Sequence, residues 1–326
     1  MVGGGGYGRL FERIISLENL LAAWREFKRG KSAKLDVQEF YSTLEENLFE
    51  IRASLKAKTY RPDPYTSFFV RDPKLRHIHK ASVRDRVLYQ AVFRVLYSCF
   101  DETFVHDSYS CRLRKGTHRG VAQLKKYLRK ATANYHRPAH ALKGDVRKFF
   151  DSVDHDILLR LLEKKIADED ARWLVRLIVK SFGTAPHKGL PLGNVTSQLF
   201  ANVYLNEFDQ WAKHVLKAKW YLRYCDDFVV LDQDKTRLEK SISLIEQTLQ
   251  EKLKLSLHPR KVSIQKVSQG VDFLGYVLLP HATMLRTNTK RRILKKVSKK
   301  NLPSYLGVLS HADARKLREE IKRRAK

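Results

Sequence analysis

The spacing of apolar residues predicts helices and one short hairpin in the N-terminal part of the chain. Apolar residues recur every three or four positions, the period of an amphipathic helix, in four segments: 17–27, 37–56, 83–100 and 121–131. Two shorter segments, 67–70 and 75–79, have the pattern of strands, and the turn residues Asp72-Pro73-Lys74 separate them. We therefore predict a hairpin that carries basic side chains near its tip.

Further along, apolar segments alternate with turns that contain Asp or Gly. Strands are predicted at 140–146, 220–224 and 228–231, and a strand or hairpin at 271–278. Ser16 and Asp154 are each expected to cap a helix, and further helices are predicted to end at Lys180 and to cover 196–215 and 237–253. Two helices with basic faces are expected in the last 41 residues, which contain 15 Lys or Arg and 3 Asp or Glu.

Composition then narrows the class of protein. The 326 residues include 64 Lys or Arg against 35 Asp or Glu, a net charge of +29, which indicates a polyanion as partner. A 43% share of hydrophobic residues favours a folded chain over a disordered one. Three cysteines without a CxxC pair argue against a disulfide scaffold. With neither a long apolar segment nor a secretory pattern, we expect a soluble, cytoplasmic protein without membrane contact.

In so basic a chain, the informative residues are carboxylates at the ends of apolar strands. Asp226 and Asp227 directly follow one predicted strand, and Asp145 ends another. Adjacent carboxylates at a tight turn repel each other unless a cation neutralises them, and Mg²⁺ takes oxygen ligands. The pattern therefore predicts a divalent-metal site, although a solvated Asp-Asp turn is a common alternative in hairpins.

The surrounding residues resemble those of reverse transcriptases. Tyr224-Cys225-Asp226-Asp227 resembles their YxDD box, and Lys143 to His155 resembles their first catalytic-aspartate motif. Gly189 to Asn202 matches the palm loop and the helix that follows it. Leu257 to Val262 and Phe273 to Tyr276 resemble the segments that lead to and form the primer grip. Order and spacing hold from about Leu17 to Lys290.

Within that superfamily, the chain is most similar to the enzymes of diversity-generating retroelements. Its palm loop has Gly-Leu-Pro-Leu-Gly-Asn-x-Thr-Ser-Gln where group II intron, retron and retroviral enzymes usually have Pro-Gln-Gly, and the retron Val-Thr-Gly triplet is absent. The resemblance implies an α+β, right-hand polymerase fold. Its expected parts are N-terminal helices and fingers at 1–139, a palm of antiparallel sheet plus helices at 140–283 with a fingers-side segment near 180–190, and a basic helical thumb at 284–326.

The resemblance also implies roles for single residues. Asp145, Asp226 and Asp227 would be catalytic and would hold two Mg²⁺ ions, for which Mn²⁺ can substitute, with the Val146 carbonyl as a further ligand. Asp151 and Asp154 match turn and helix-cap positions instead. The expected nucleotide-binding residues are Arg76, Lys74, Phe150, Leu192, Gly193 and Lys261. The expected nucleic-acid-binding residues are Arg112, Arg114, Lys115, Leu274, Gly275, Tyr276, Arg291 and Arg292.

Three of these expectations carry specific chemistry. Phe150 matches the steric gate that excludes a 2′-hydroxyl, which makes dNTPs the expected substrates. Arg76, together with Lys74 or Arg71, matches the hairpin that closes on the triphosphate. Lys261 would either protonate pyrophosphate or contact the nucleic-acid backbone.

The expected partners are a template RNA, a DNA primer and its cDNA, and a small basic accessory protein in an oligomeric complex. Leu192 replaces a Gln found in many relatives, and an aliphatic side chain discriminates poorly between similar ligands. The resemblance therefore predicts errors opposite template adenines. Two alternatives stay open: a group II intron-like or defence-associated reverse transcriptase of ordinary fidelity, and a non-catalytic RNA-binding scaffold.

Overall fold

The computed structural model of the chain describes residues 9–71 and 75–325. The predicted turn residues Asp72, Pro73 and Lys74 lie outside the described residues. None of the described helices is both long enough and apolar enough to cross a membrane. The three cysteines are free thiols, as their number and spacing predict.

The described residues form helices and antiparallel strands throughout, which confirms a mixed α and β fold. The helices are α1 (Leu10–Ile15), α2 (Leu17–Phe27), α3 (Leu35–Ser42), α4 (Leu44–Lys56), α5 (Val83–Asp101), α6 (Thr117–Ala131), α7 (Phe149–Ser152), α8 (His155–Glu163), α9 (Glu169–Lys180), α10 (Val195–His214), α11 (Lys235–Leu253), α12 (Thr287–Lys296), α13 (Leu302–Leu309) and α14 (Arg315–Arg324). The strands are β1 (Thr66–Arg71), β2 (Leu75–Lys80), β3 (His140–Asp145), β4 (Trp220–Tyr224), β5 (Asp227–Asp232), β6 (Ser263–Lys266), β7 (Val271–Phe273), β8 (Tyr276–Leu278) and β9 (Thr283–Leu285).

The described chain divides into two compact units. The first contains residues 9–71, 75–105, 147–209 and 248–256, and the second contains residues 106–146, 210–247 and 257–325. Helices α10 and α11 have residues in both units. The expected boundaries of fingers, palm and thumb stay predictions.

The first unit is mainly helical, and its helices begin where the sequence predicts caps. The Ser16 hydroxyl accepts a hydrogen bond from the Asn19 N–H at 3.2 Å, and an Asp154 carboxylate oxygen accepts one from the Ile157 N–H at 3.0 Å. Such bonds satisfy N–H groups that a helix leaves unpaired at its start. The cap predicted for Asp154 is therefore confirmed.

The helix predicted for residues 37–56 is wrong in one respect, because the structure contains two helices there. Thr43 separates α3 from α4 with φ −125° and ψ 44°, outside the helical region. Its hydroxyl and the Phe40 carbonyl both accept hydrogen bonds from the Asn47 side chain at 3.0 Å. Thr side chains compete with the backbone for such bonds, which explains the break within one apolar pattern.

The predicted hairpin is present in the first unit. Strands β1 and β2 pair antiparallel from Thr66 opposite Lys80 to Arg71 opposite Leu75. Every β1 residue is exposed, including Phe69 at 66%. The hairpin is therefore a pair of strands without further strand neighbours in the described part of the unit.

The second unit contains a four-stranded antiparallel sheet in the order β4-β5-β3-β6. Its central strands, β3 and β5, are largely buried, although only β5 has a near-continuous apolar sequence. Gly144 in β3 pairs with Phe228 in β5, and a Cβ at Gly144 would lie 2.1 Å from the Phe228 ring. Glycine is therefore required there, since the aromatic ring covers the backbone.

A three-stranded sheet, β7-β8-β9, and the C-terminal helices complete the second unit. The segment 271–278 is a hairpin, with Leu274 and Gly275 at positive φ in its turn. The two predicted basic C-terminal helices are present as α12 and α14, and the structure adds an uncharged helix, α13, between them. Val297 is extended and ends α12, and α13 has Pro303 in its first turn and carries no charged residue.

Candidate active site

Strand register brings two of the three predicted carboxylates together in the second unit. Asp145, the last residue of β3, pairs directly with Asp227, the first residue of β5. Asp226 lies in the turn between β4 and β5, where Cys225 has φ 55°. The sequence prediction of an acidic hairpin turn is thus correct, with the difference that Asp227 belongs to the strand.

The environment of Asp226 and Asp227 disfavours negative charge on their side chains. Burial raises the pKa of Asp226, and the nearby Asp145 carboxylate adds to that effect. Burial and the charges of Asp226 and Asp145 together raise the pKa of Asp227 to about 7. Like charges that face each other on neighbouring strands lower the stability of a sheet. A bound cation would reduce this repulsion between the carboxylates.

Neighbouring groups fix Asp145 from both sides. The Lys261 ammonium donates to its carboxylate at 2.6 Å, and the Asp145 carbonyl accepts a hydrogen bond from the His258 N–H at 2.7 Å. The next residue, Val146, donates its N–H to the Asp226 carbonyl at 3.2 Å. Lys261 therefore places a positive charge next to the Asp145 carboxylate.

The donor chemistry fits a hard divalent ion, although no complete ligand set is preassembled. In residues 9–71 and 75–325, no three His, Cys, Asp or Glu side chains are grouped in a way that could hold a metal ion. The candidate donors are all oxygens, from Asp145, Asp226, Asp227 and the Val146 carbonyl. Mg²⁺ prefers such ligands and usually completes its shell with water and substrate phosphates.

A buried arginine beside the acidic turn was missed by the sequence analysis. Arg223 in β4 is 1% exposed, and its guanidinium donates to the Cys225 carbonyl and to the Ser108 hydroxyl, both at 3.0 Å. The bond to Cys225 spans the turn that precedes Asp226. The available signal was a charged residue inside the apolar segment Trp-Tyr-Leu-Arg-Tyr, since such residues are rarely buried without a defined partner.

Phe149 and Phe150, which follow Asp145 within the predicted catalytic-aspartate motif, lie in the first unit. Phe150 is partly exposed, and its carbonyl accepts a hydrogen bond from the Leu190 N–H at 2.7 Å. The neighbouring Phe149 is 2% exposed and belongs to the core. The palm loop is thereby tied to the backbone of Phe150.

The palm loop is held at its other end by a buried amide. The Asn194 side chain is 3% exposed and donates to the Tyr65 hydroxyl at 3.1 Å. Gly193 is exposed at φ +111°, which favours glycine, and Leu192 is half-buried beside it. Leu192 therefore presents an apolar side chain at the surface of this loop.

The hairpin residue Arg76 is exposed and pairs with Val70 across the strands. Lys74, the other predicted phosphate contact, lies outside the described residues. His77 and His79 lie with ring centroids 4.3 Å apart, and His79 packs edge-on to Phe182 at 4.7 Å. The two histidines thus belong to a row of rings along one face of the hairpin.

Several predicted nucleic-acid-binding residues line one cavity in the second unit. Its volume is about 610 Å³, and its walls include Lys115, Arg292 and the turn residues Leu274, Gly275 and Tyr276. The Tyr276 hydroxyl donates to the Val308 carbonyl at 3.0 Å, which ties β8 to α13. His118 and Arg119 also line the cavity and were not predicted.

The other predicted nucleic-acid-binding residues do not line this cavity. They are Arg112, Arg114 and Arg291. Arg112 donates to the Ser108 carbonyl at 3.2 Å, and Arg114 is an exposed residue with φ 58°. Arg291 is exposed on α12 next to Arg292. These side chains are separated from the cavity because adjacent helix or loop positions point in different directions.

Comparison with known proteins identifies the class. Residues 70–278 match the sequence profile described as "Reverse transcriptase (RNA-dependent DNA polymerase)". The chain is 26% identical over 269 residues to Protein YkfC of Escherichia coli (strain K12), covering 70% of each chain. It is also 26% identical over 227 residues to the group II intron-encoded protein LtrA of Lactococcus lactis subsp. cremoris, covering 65% of this chain and 36% of LtrA.

A more distant match is the putative COX1/OXI3 intron 2 protein of Saccharomyces cerevisiae, with 18% identity over 263 residues and 30% of that protein covered. These findings define a template-directed polymerase domain with the right-hand fold. The chain belongs to the reverse transcriptase family, and the matched domain is an RNA-directed DNA polymerase. Such a domain acts on template nucleic acid and dNTPs, and the family generally uses divalent metal ions.

Proposed function

We propose that this chain synthesises DNA on an RNA template at a centre formed by Asp145, Asp226 and Asp227. The observation that carries the proposal is the direct pairing of Asp145 with Asp227 beside the turn that contains Asp226. Carboxylates placed against one another, with Asp145 buried and Asp226 and Asp227 half-buried, have no structural advantage without a cation. A cation site at the end of a polymerase sheet gives them one.

Asp145, Asp226 and Asp227 would hold two Mg²⁺ ions, with the Val146 carbonyl as a further oxygen ligand. When bound, the ions would lower the pKa of the primer 3′-hydroxyl and stabilise charge on the departing pyrophosphate. Lys261, 2.6 Å from Asp145, is the candidate group that transfers a proton from Nζ to pyrophosphate. A contact with the nucleic-acid backbone is its alternative role.

The nucleotide would be selected by residues of the first unit. Phe150 is proposed to exclude a 2′-hydroxyl with its partly exposed ring, and Leu192 and Gly193 would border the same nucleotide. Arg76 would bind the triphosphate, because its exposed guanidinium can form charge-assisted hydrogen bonds with phosphate oxygens. Lys74 is proposed as a second phosphate contact on its sequence position alone. dNTPs would therefore be preferred over rNTPs.

The nucleic acid would be held by the second unit. The cavity lined by Lys115, Arg292 and the 274–276 turn is the proposed primer contact, and Arg112, Arg114 and Arg291 would contact the backbone beyond it. In the proposed division, residues 1–139 and 180–190 are fingers, the rest of 140–283 is palm, and 284–326 is thumb.

The finer proposal is an enzyme of a diversity-generating retroelement, which copies an element-encoded RNA with errors at adenines. It is supported by the Gly-Leu-Pro-Leu-Gly-Asn loop and by the half-buried, aliphatic Leu192. A small basic accessory protein in an oligomeric complex belongs to this proposal. The second candidate is a group II intron-like reverse transcriptase of ordinary fidelity, which the similarity to LtrA favours.

Primer extension tests the proposed activity. An RNA template that contains adenines is annealed to a DNA primer and incubated with Mg²⁺ and either dNTPs or rNTPs, with and without any small basic protein encoded nearby. We expect cDNA from dNTPs only, and none with Asp226→Asn. Absence of cDNA under every condition would favour a non-catalytic RNA-binding scaffold.

Sequencing of the cDNA tests the finer proposal. Errors concentrated opposite template adenines would support the retroelement enzyme, and Leu192→Gln should reduce them. Leu192→Met, which keeps an apolar side chain of similar volume, is the matched control and should leave the error pattern in place. Accurate cDNA from the unmodified chain would favour the intron-like enzyme instead.

A further inference from the structure

Helix α6 presents a basic surface that no part of the proposed polymerase site uses. Lys125, Lys126, Arg129 and Lys130 are all exposed and line a concave surface of about 440 Å³ that ends at Asn134. None of the four forms an ion pair with another residue in the described part of the chain. We call these four side chains the α6 basic face.

This face is unusual even for so basic a chain. Among the described helices, only α6 and α12 combine five Lys or Arg residues with no Asp or Glu. Helices α9, α11 and α14 also carry several basic residues, but each contains carboxylates. Like charges four residues apart destabilise a helix, so a face of this kind has a cost that a polyanion would offset.

The spacing of the charges matches a chain of phosphates. Lys125 and Arg129, and likewise Lys126 and Lys130, are four residues apart, which is about 6 Å along the helix axis. The surface continues past the end of the helix, where His136, Arg137 and Lys266 line an adjoining cavity of about 250 Å³. Several phosphates of one backbone can therefore be contacted together.

The residue composition of the α6 basic face also indicates which kind of polyanion it binds. None of the exposed large apolar side chains of the described chain belongs to α6, whereas protein interfaces have an apolar core. Single-stranded nucleic acids are bound through aromatic rings that stack on bases, whereas no aromatic residue lines the concave surface of α6, and Tyr135 in the adjoining cavity is half-buried. Duplex RNA is recognised by shape and through its backbone, which suits a face of charges alone.

We propose that the α6 basic face binds the phosphate backbone of an RNA stem. The stem is a second RNA contact, separate from the template and primer strands in the proposed polymerase site. The proposal goes beyond the polymerase function and does not require it, because binding is measured without nucleotides. Failure of one is therefore distinguishable from failure of the other.

The test uses the full chain and a fluorescent RNA hairpin of about 20 base pairs without single-stranded ends. One equivalent of unlabelled RNA–DNA primer–template duplex is present to occupy the proposed polymerase site without saturating a second one. The test variant carries Lys125→Gln, Lys126→Gln, Arg129→Gln and Lys130→Gln. The matched control removes the same charge from exposed lysines elsewhere, by Lys165→Gln, Lys180→Gln, Lys240→Gln and Lys252→Gln.

We expect the test variant to bind the hairpin on the order of 10- to 100-fold more weakly than the unmodified chain. The slope of log affinity against log salt should fall by about 3, since each lost phosphate contact removes about 0.9. The control should change affinity by less than about threefold. Equal weakening by both variants would show an effect of net charge alone and would overturn the proposal.

Competition and chemical footprinting keep the test decisive if the test variant misfolds. Lysine acetylation of the unmodified chain should show Lys125, Lys126 and Lys130 protected by the hairpin, and Lys165 and Lys180 unprotected. Absence of that protection would overturn the proposal. Displacement of the hairpin by poly-glutamate as readily as by unlabelled hairpin would also overturn it, and would point to an acidic protein partner.

Discussion

The β1–β2 hairpin and the β4-β5-β3-β6 sheet both carry residues predicted to act in polymerisation, but they hold them differently. Every residue of β1 is exposed, and Arg76 in β2 has only the Val70 backbone opposite it. In the sheet, Asp145 is 6% exposed and lies in a strand paired on both sides. The comparison indicates that the sheet fixes Asp145 by packing, whereas the exposed Arg76 on the hairpin is able to follow a ligand.

This difference predicts two kinds of mutational effect. Changes around the sheet should affect stability and catalysis together, because the carboxylates depend on the same packing as the core. Changes in the hairpin should affect the binding of substrate with little effect on stability, because exposed side chains contribute little to folding. Substitutions of Arg223, Gly144, Arg76 and Asp154 test this distinction.

Arg223 should be the most sensitive neighbour of the carboxylates. Arg223→Met removes the donor to the Cys225 carbonyl, and we expect primer extension to fall on the order of 10²-fold as Asp226 shifts. The Mg²⁺ concentration for half-maximal rate should rise, and Arg223→Lys should restore part of the rate. An unchanged Mg²⁺ requirement in a folded Arg223→Met variant would show that this arginine has only a structural role.

Gly144 should show how tightly the sheet is packed. Gly144→Ala places a methyl group 2.1 Å from the Phe228 ring and should lower the free energy of unfolding by about 2–3 kcal/mol in urea titrations. Gly193→Ala meets ordinary contacts at φ +111°, and we expect a smaller loss of about 1–2 kcal/mol. Gly307→Ala has open space and should be neutral or stabilising. A Gly144→Ala protein as stable as the unmodified chain would contradict the packing argument.

Arg76 should show the opposite behaviour. Arg76→Ala should raise the KM for dNTPs roughly tenfold, the equivalent of one charge-assisted hydrogen bond, and change the free energy of unfolding by less than about 0.5 kcal/mol. Arg76→Lys keeps the charge and should recover much of the affinity. A large loss of stability in either variant would break the comparison between hairpin and sheet.

Asp154 is a carboxylate with a purely structural role, and its substitution should have the smallest effect of those considered. Burial raises its pKa, but hydrogen bonds from Lys254 at 2.6 Å and from the Ile157 N–H outweigh that effect, so its pKa is lowered. A lowered pKa means that the charged form stabilises the fold above about pH 4 and that this stability is lost as pH falls through the folded value.

We therefore expect Asp154→Asn to lower the free energy of unfolding by about 1 kcal/mol at pH 7, since Asn still caps the helix but cannot pair with Lys254. The difference should shrink as pH falls below the ordinary Asp pKa of about 4 and through the lowered folded value. Urea unfolding across pH checks this. A difference that is independent of pH would contradict the ion pair as its source.

Local patterns in the sequence predicted most of the fold that surrounds the site. The strands that end in Asp145 and lead to Asp226, the hairpin and the caps at Ser16 and Asp154 are present as predicted. Each depends on residues close in sequence, so periodicity and cap chemistry suffice.

Features that depend on distant or competing contacts could not be predicted. The break at Thr43 results from side-chain hydrogen bonds to Asn47, inside an apolar pattern that otherwise continues. Arg223 depends on Ser108, more than a hundred residues away, and the cavity residue His118 packs against His311 at 3.7 Å. The direct pairing of Asp145 with Asp227 required the strand register, which the sequence does not specify.

The central claim is that Asp145, Asp226 and Asp227, and not other acidic residues, hold the metal ions of the proposed polymerase. Electron paramagnetic resonance can count bound Mn²⁺ in the presence of an RNA–DNA primer–template and a non-hydrolysable dNTP. We predict about two ions for the unmodified chain and for Asp232→Asn at the far end of β5, and fewer than one for Asp145→Asn combined with Asp227→Asn. Undiminished binding by the double variant would contradict the assignment.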